Sequence, residues 1–268
     1  MICSEVALHF KSAGTWIDWD RCVDSFTAGD DGVEISGIAV AWKPSWEDLR
    51  QAVDLGANLF IAHESIAVRT DTRSDKQDIE FALPSERPLF EWIEENGITV
   101  YRCHDFLDQM PEKGVRWTWH RGLELGGEIS ADEYPHLVSE VPPTRLGDLV
   151  QHVLRKTGGL GQDGVIVYGD LDRIVHRVAT GTGAISLPPK MKELGADTAI
   201  VTDDFFLHVR MGAHIKDLDL ACIIVNHGVA EEWAIANLAE YLRVAFPDTN
   251  VSYLPQSCPY TVVTLDDK

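Results

Sequence analysis

Asn58-Leu59-Phe60-Ile61-Ala62-His63-Glu64-Ser65 is a short apolar run that stops abruptly at an imidazole and a carboxylate. Its apolar residues are continuous rather than alternating, the pattern of a strand buried on both faces in an α/β sheet. Ligands in such sheets gather beyond the carboxyl ends of the strands. Taken alone, His63 and Glu64 read in the first place as the polar residues that end a buried strand. Two further segments change this. Ile98-Thr99-Val100-Tyr101-Arg102-Cys103 ends in His104, with Asp108 four residues on, and Leu220-Ala221-Cys222-Ile223-Ile224-Val225-Asn226 ends in His227, with Glu231 four residues on. Histidine and carboxylates do not favour buried strands. Three apolar strands ending in histidine, two of them followed by a carboxylate at i+4, therefore predict a shared metal site.

Working outward, Ile38 to Trp42 reads as a strand. Ser45-Trp46-Glu47-Asp48 reads as a cap and acidic first turn opening a helix with Leu49, Ala52 and Val53 on one face, stopped at Gly56. Arg69 to Asp78 is polar and aperiodic, a loop placed to cover the site. Ser85 is expected to cap a helix carrying Leu89, Phe90 and Ile93 that ends at Asn96-Gly97. The Gly-, Pro- and acid-rich stretch from Gly126 to Pro143 reads as a boundary, after which Thr144 caps a packing helix ended by Gly158-Gly159. The expected domains are thus residues 1–126 and 127–268.

The second half repeats the first. Leu194-Gly195-Ala196-Asp197-Thr198-Ala199-Ile200-Val201 mirrors Leu55-Gly56-Ala57-Asn58-Leu59-Phe60-Ile61-Ala62, and the strand ending in His227 mirrors the one ending in His104. Two interlinked, internally repeated α/β units with mainly parallel sheets and right-handed crossovers follow. Gly181-Thr182-Gly183 reads as a tight turn in preference to an anion cradle.

The 268 residues include 45% hydrophobic ones, ample for a sizeable core. A net charge of -20 argues against nucleic acid as a partner. No run reaches the length of a membrane span, and Met1-Ile2-Cys3-Ser4-Glu5 lacks the basic-then-apolar pattern of a secretory signal, so a cytoplasmic location is expected. Five scattered cysteines without a C-x-x-C pair suggest neither a disulfide framework nor a cysteine zinc site.

The segments ending in His63-Glu64, in His104 with Asp108, and in His227 with Glu231 together resemble the Nif-three-like dinuclear metal-centre family, labelled GTP cyclohydrolase type 2 homologues, over nearly the whole chain. The resemblance implies a Nif-three-like fold and two divalent metal ions. Carried over residue by residue, it gives His63, Asp108, His227 and Glu231 as ligands. Glu64 stands where the family has a second adjacent histidine. As a further ligand it adds negative charge and shifts preference from zinc towards manganese, iron or magnesium. His104 is expected to support the ligands from behind, and His208 falls where the family often has a histidine, so it is expected to face a substrate. Glu64 and His208 are the candidate proton carriers.

These readings predict a metal-dependent hydrolase of a small phosphorylated or heterocyclic substrate. The alternatives are a non-catalytic metal-binding scaffold or regulatory protein and a nucleotide-ring cyclohydrolase. The resemblance also implies a closed homo-oligomer, a hexamer. Trp117 and Trp119, one residue apart in a turn-like stretch, either place one ring on a subunit contact or both cover the chain's own core.

Overall fold

The computed structural model describes residues 1–67, 78–206 and 209–263, except for the side chains of 205, 206, 209–211 and 213. The apolar runs form the strands expected of them. In chain order the elements begin α1 (Cys3–Ala13), β1 (Ser25–Ala28), β2 (Ile38–Ala41), α2 (Trp46–Asp54), β3 (Leu59–Ala62), α3 (Arg87–Glu95), β4 (Thr99–Arg102) and α4 (Asp105–Gln109). There follow α5 (Val115–Gly122), β5 (Glu128–Glu133), β6 (His136–Arg145), α6 (Leu146–Thr157), β7 (Ile166–Tyr168) and β8 (Ile174–Thr180). The chain closes with α7 (Pro188–Glu193), β9 (Thr198–Thr202), α8 (Asp203–Phe206), α9 (Val209–Asp217), β10 (Ala221–Val225), α10 (His227–Ala245) and β11 (Val251–Tyr253).

Two compact units result, one from Met1–Gly114 with Ala234–Pro255, the other from Val115–Trp233 with Gln256–Lys268. The division falls at Gly114 rather than at the expected 126, because Trp119 and Leu123 of the α5 region belong to the core of the second unit. The chain then re-enters the first unit at Ala234.

The first unit is built on a five-stranded sheet of order β1-β4-β3-β2-β11. Its β2, β3, β4 and β11 are parallel, and only β1 runs against them. Every residue of β2, β3 and β4 is buried, which is why these strands read as unbroken apolar runs. Each fully buried Leu, Ile or Phe among them contributes roughly 1.5–3 kcal/mol. Helix α2 begins as expected, the Ser45 hydroxyl accepting the Asp48 N–H at 3.1 Å, and it buries Leu49 and Ala52 while Val53 faces solvent. Helix α3 starts one residue later than expected: Glu86 is its N-cap, Ser85 lies outside, and Pro88 in the first turn fixes the start. Behind β4, Phe10 of α1 stacks on Tyr101 at 5.6 Å and meets Phe106 of α4 at 4.7 Å, while the Trp16 indole donates to the Phe106 carbonyl at 3.0 Å. The N-terminal segment thereby braces the short helix that carries Asp108.

The second unit holds a six-stranded sheet of order β5-β6-β8-β9-β10-β7. Strands β8, β9 and β10 are parallel; β6 and β7 flank them antiparallel, and β5 pairs antiparallel with β6 at the edge. The Gly126–Pro143 stretch is therefore not a linker but most of a β5–β6 hairpin. The β6 register with β8 shifts between Glu140 and Thr144, where Pro142 and Pro143 have no N–H to give the ladder. Thr144 consequently lies in β6, and the N-cap of α6 is Arg145.

The expected repeat is present in both units. The order strand, helix, strand, then a strand ending in histidine recurs as β2-α2-β3-β4-His104 and β8-α7-β9-β10-His227. In both copies a glycine in the left-handed region ends the first helix, Gly56 at φ 77° and Gly195 at φ 90°. The stretch with Trp117 and Trp119 is helix α5, not a turn. Trp119 is fully buried in the core of its own unit, 5.7 Å from Trp233, and half-buried Trp117 lies under the guanidinium groups of Arg116 and Arg121.

Candidate metal centre

In the first unit the carboxyl ends of β3 and β4 lie side by side, and the residues that leave them meet. The His63 Nδ1–H donates to the Cys103 carbonyl at 3.3 Å, which directs Nε2 towards Asp108 Oδ1 at 3.5 Å. The His104 ring stacks on His63, centroids 4.4 Å apart and planes 6° from parallel. Its Nδ1 lies 3.1 Å from Asp105 and 3.5 Å from Asp108, and its Nε2 3.8 Å from Glu64. His63, His104 and Asp108 each offer one ligand atom, and these atoms all lie within 4.8 Å of one another. His104, expected behind the ligands, thus lies within this group.

Glu64 sits on the flank of this group, 3.6 Å from the guanidinium of buried Arg102, which balances its charge. Two cations fix the turn that carries both residues: Arg102 donates to the His63 carbonyl at 3.3 Å and Lys43 to the Ser65 carbonyl at 2.7 Å. Burial pushes the Lys43 ammonium below its usual range, opposed by the charges of Glu64, Asp78 and Glu86.

Helix α4, five residues long, has no cap of its own, since the His104 side chain makes no capping bond. Asp24 supplies one from eighty residues earlier, accepting the N–H groups of His104 at 2.9 Å, Asp105 at 2.7 Å and Phe106 at 3.0 Å. Burial pushes the Asp24 carboxyl up to about 6, against the pull of these N–H groups. Burial also works against the Asp105 carboxylate, yet its bond to His104 and the nearby His104 and Arg102 charges hold it below the usual range.

In the second unit, His227 opens α10 with Glu231 one turn on, and the two meet at 2.9 Å through Nε2 and Oε1. Asp203 accepts the His227 N–H at 3.0 Å and the Asn226 side-chain amide at 3.0 Å, so it caps α10. Asp204 faces the other ring nitrogen of His227 at 3.6 Å. The amides of Gly181 and Gly183 are committed across to β9, to the Ile200 carbonyl and the Thr202 hydroxyl, and the turn itself starts at Gly183, whose carbonyl accepts the Ser186 N–H at 3.1 Å. His208, and all of the expected covering loop but Asp78, lie outside the described residues.

The donor set fits divalent metal. Imidazoles and carboxylates suit zinc, iron and manganese, and a ring nitrogen fixed by a backbone carbonyl, as in His63, is how ligating histidines are oriented. Sequence reading missed Asp24, Arg102, Lys43 and Asp204. None carries a mark in sequence, because each finds its partner through the fold.

A family model described as Duf34/NIF3 (NGG1p interacting factor 3) matches residues 15–257. The chain belongs to the Duf34/NIF3 family. Solved structures of the same fold include a Bacillus cereus protein related to NIF3, 15% identical with a TM-score of 0.77, covering 98% of this chain and 99% of that one. Staphylococcus aureus protein SA1388 is 15% identical with a TM-score of 0.75, again over 98% and 99% of the two chains. TTHA1606 from Thermus thermophilus is 16% identical with a TM-score of 0.71, over 97% and 100%. A comparison with curated protein sequences yields no match. No helix among the described residues is long and apolar enough to cross a membrane.

Proposed function

We propose that this Duf34/NIF3 protein binds two divalent metal ions per chain and hydrolyses a small phosphorylated or heterocyclic substrate. The observation that carries the reading is the convergence of His63, His104 and Asp108 at adjacent strand ends, their ligand atoms within 4.8 Å of one another. In the second unit His227 and Glu231 are the residues offered to metal. His104 joins the ligands named from the sequence. Divalent ions held there supply Lewis acidity, polarising a substrate oxygen and acidifying water.

The chain's own groups divide the remaining work. His63 is held in one tautomer by the Cys103 carbonyl, so its Nε2 is the nitrogen that carries the lone pair for a metal. Glu64, kept in place by Arg102, is the candidate for taking a proton from the attacking water, and His208 for handing one to the leaving group.

Protein prepared without chelators should carry close to two divalent ions by mass-spectrometric metal analysis. It should turn over at least one compound in a panel of phosphoesters and nucleotides. An intact fold unable to take up manganese, iron or zinc would overturn the reading. Metal without turnover of any panel member would favour the scaffold alternative, and ring opening of a nucleotide the cyclohydrolase one.

A further inference from the structure

We infer that Asp204 is a positioning residue for the metal-ligating imidazole of His227, fixing its tautomer through Nδ1 so that Nε2 is presented to metal. The inference rests on the metal-binding reading above and adds to it a residue for which motif and resemblance assign no role.

The two ring nitrogens of His227 face different carboxylates. Nε2 meets Glu231 at 2.9 Å, the residue named with it as a ligand, and Nδ1 meets Asp204 Oδ2 at 3.6 Å. An ion drawn to Glu231 takes its nitrogen from the same side of the ring, which leaves Nδ1 to carry the proton. A neutral imidazole has one N–H, and the group that accepts from it decides which nitrogen keeps its lone pair.

Asp204 is itself held. The fully buried Thr202 donates its hydroxyl to Asp204 Oδ1 at 2.5 Å, and the Thr202 oxygen accepts the Gly183 N–H at 2.9 Å. The direction of each bond is therefore set in series, from the Gly183 amide through the hydroxyl to the carboxylate. The second carboxylate oxygen stands 3.6 Å from Nδ1, an ion-pair contact slightly longer than a hydrogen bond. Residue 183 is glycine because its backbone lies in the left-handed region at φ 69°; a Cβ there would make only ordinary contact with the imidazole, 3.7 Å from Nε2.

The neighbouring acid cannot substitute. Asp203 is committed to the Asn226 amide, the His227 backbone N–H and the Tyr260 hydroxyl. The first unit uses the same device with a different acceptor, His63 giving its Nδ1–H to the Cys103 carbonyl. A carboxylate in place of a carbonyl makes the ring more basic and a stronger ligand.

The test measures zinc(II) affinity by competition with a chromophoric chelator in the full chain, for wild type and the D204A, D204N and H227A variants, with circular dichroism as the check on fold. Expected is a loss of about 10- to 100-fold in affinity for at least one zinc ion in D204A. D204N, which keeps an acceptor but not the charge, should fall between D204A and wild type, and it decides the matter should D204A fail to fold. In ¹⁵N-histidine-labelled, zinc-loaded wild type, the His227 Nδ1–H proton should resonate far downfield and move upfield in D204A, a change that mere loosening of α8 would not produce. If wild type binds zinc and H227A weakens it while both Asp204 variants bind as wild type does, the assignment of Asp204 is overturned and the metal reading stands. If wild type takes up no zinc, both fall.

Discussion

Asp24 shows how little of a site need be visible at the residue that holds it. A five-residue helix is far below the length that is stable alone, so α4 is held by its aromatic packing and by one carboxylate that takes the N–H groups of its N-cap His104 and of Asp105 and Phe106. Asp24→Ala should cost about 1–3 kcal/mol in urea denaturation and weaken zinc binding, because His104 and Asp108 both sit on that turn. A variant with unchanged zinc affinity would show that α4 is held by its aromatic packing alone. Glu64→His, which restores the family's paired imidazoles, should shift preference towards zinc. It also deprives buried Arg102 of its counter-charge, so it should lower stability by about 1–3 kcal/mol, and adding Arg102→Met should recover part of that loss. The histidines at strand ends were legible because imidazole is out of place after four apolar residues. Asp24 and Asp204 were not, because an acid among 43 acidic residues carries no pattern of its own.

At the scale of elements, repetition was the readable part. Leu-Gly-Ala recurs because each copy needs a left-handed residue between a short helix and a buried strand. The two glycines differ in surroundings: a Cβ on Gly56 meets nothing within 4 Å, whereas one on Gly195 meets the Arg177 guanidinium at 2.9 Å. Gly56→Ala should therefore cost only the backbone strain, about 1–2 kcal/mol, and Gly195→Ala more, as comparison of thermal midpoints would show. The β5–β6 hairpin was illegible for a physical reason. Strand β5 is an edge with almost no buried residue, so nothing selects apolar side chains along it. Helix α5, only eight residues long, was too short for its period to show.

Elements of the second unit are also joined by buried histidines. His120 of α5 bonds the Thr180 hydroxyl of β8 and the Ser139 hydroxyl of β6, each at 2.8 Å, and His136 accepts the Leu187 N–H at 3.0 Å. Burial lowers each to about 4, helped by Arg121 at His120 and, at His136, by Lys190 against the opposing charge of Glu133. The unfolded chain takes up these protons near 6.5. Between about 6.5 and 4 the unfolded state thus binds more protons, so stability is full above that window and falls as pH drops through it. Urea midpoints should fall from pH 7 to pH 5 by an amount worth at most about 2 kcal/mol per histidine, and less in His120→Gln.

For the whole molecule, a charge of -20 bears on assembly. The resemblance argues for a closed homo-oligomer, a hexamer, and salt should favour it by screening like charge. Trp119, fully buried in its own unit, takes no part in that argument. Light scattering coupled to size exclusion should give a multiple of the 29.8 kDa chain in moderate salt, and a monomer mass at every salt concentration would refute it. The pairing of β11 with β2 has a different consequence, one for synthesis. Strand β2 leaves the ribosome early, with every residue destined for burial, yet the strand that covers its edge is translated more than two hundred residues later. At typical elongation rates that is about 10–40 s of exposure. For that interval a nascent chain carries an open, sticky hydrogen-bonding edge, so the protein should depend on chaperones attending translation, and a stalled or truncated message should yield aggregates rather than a smaller soluble protein.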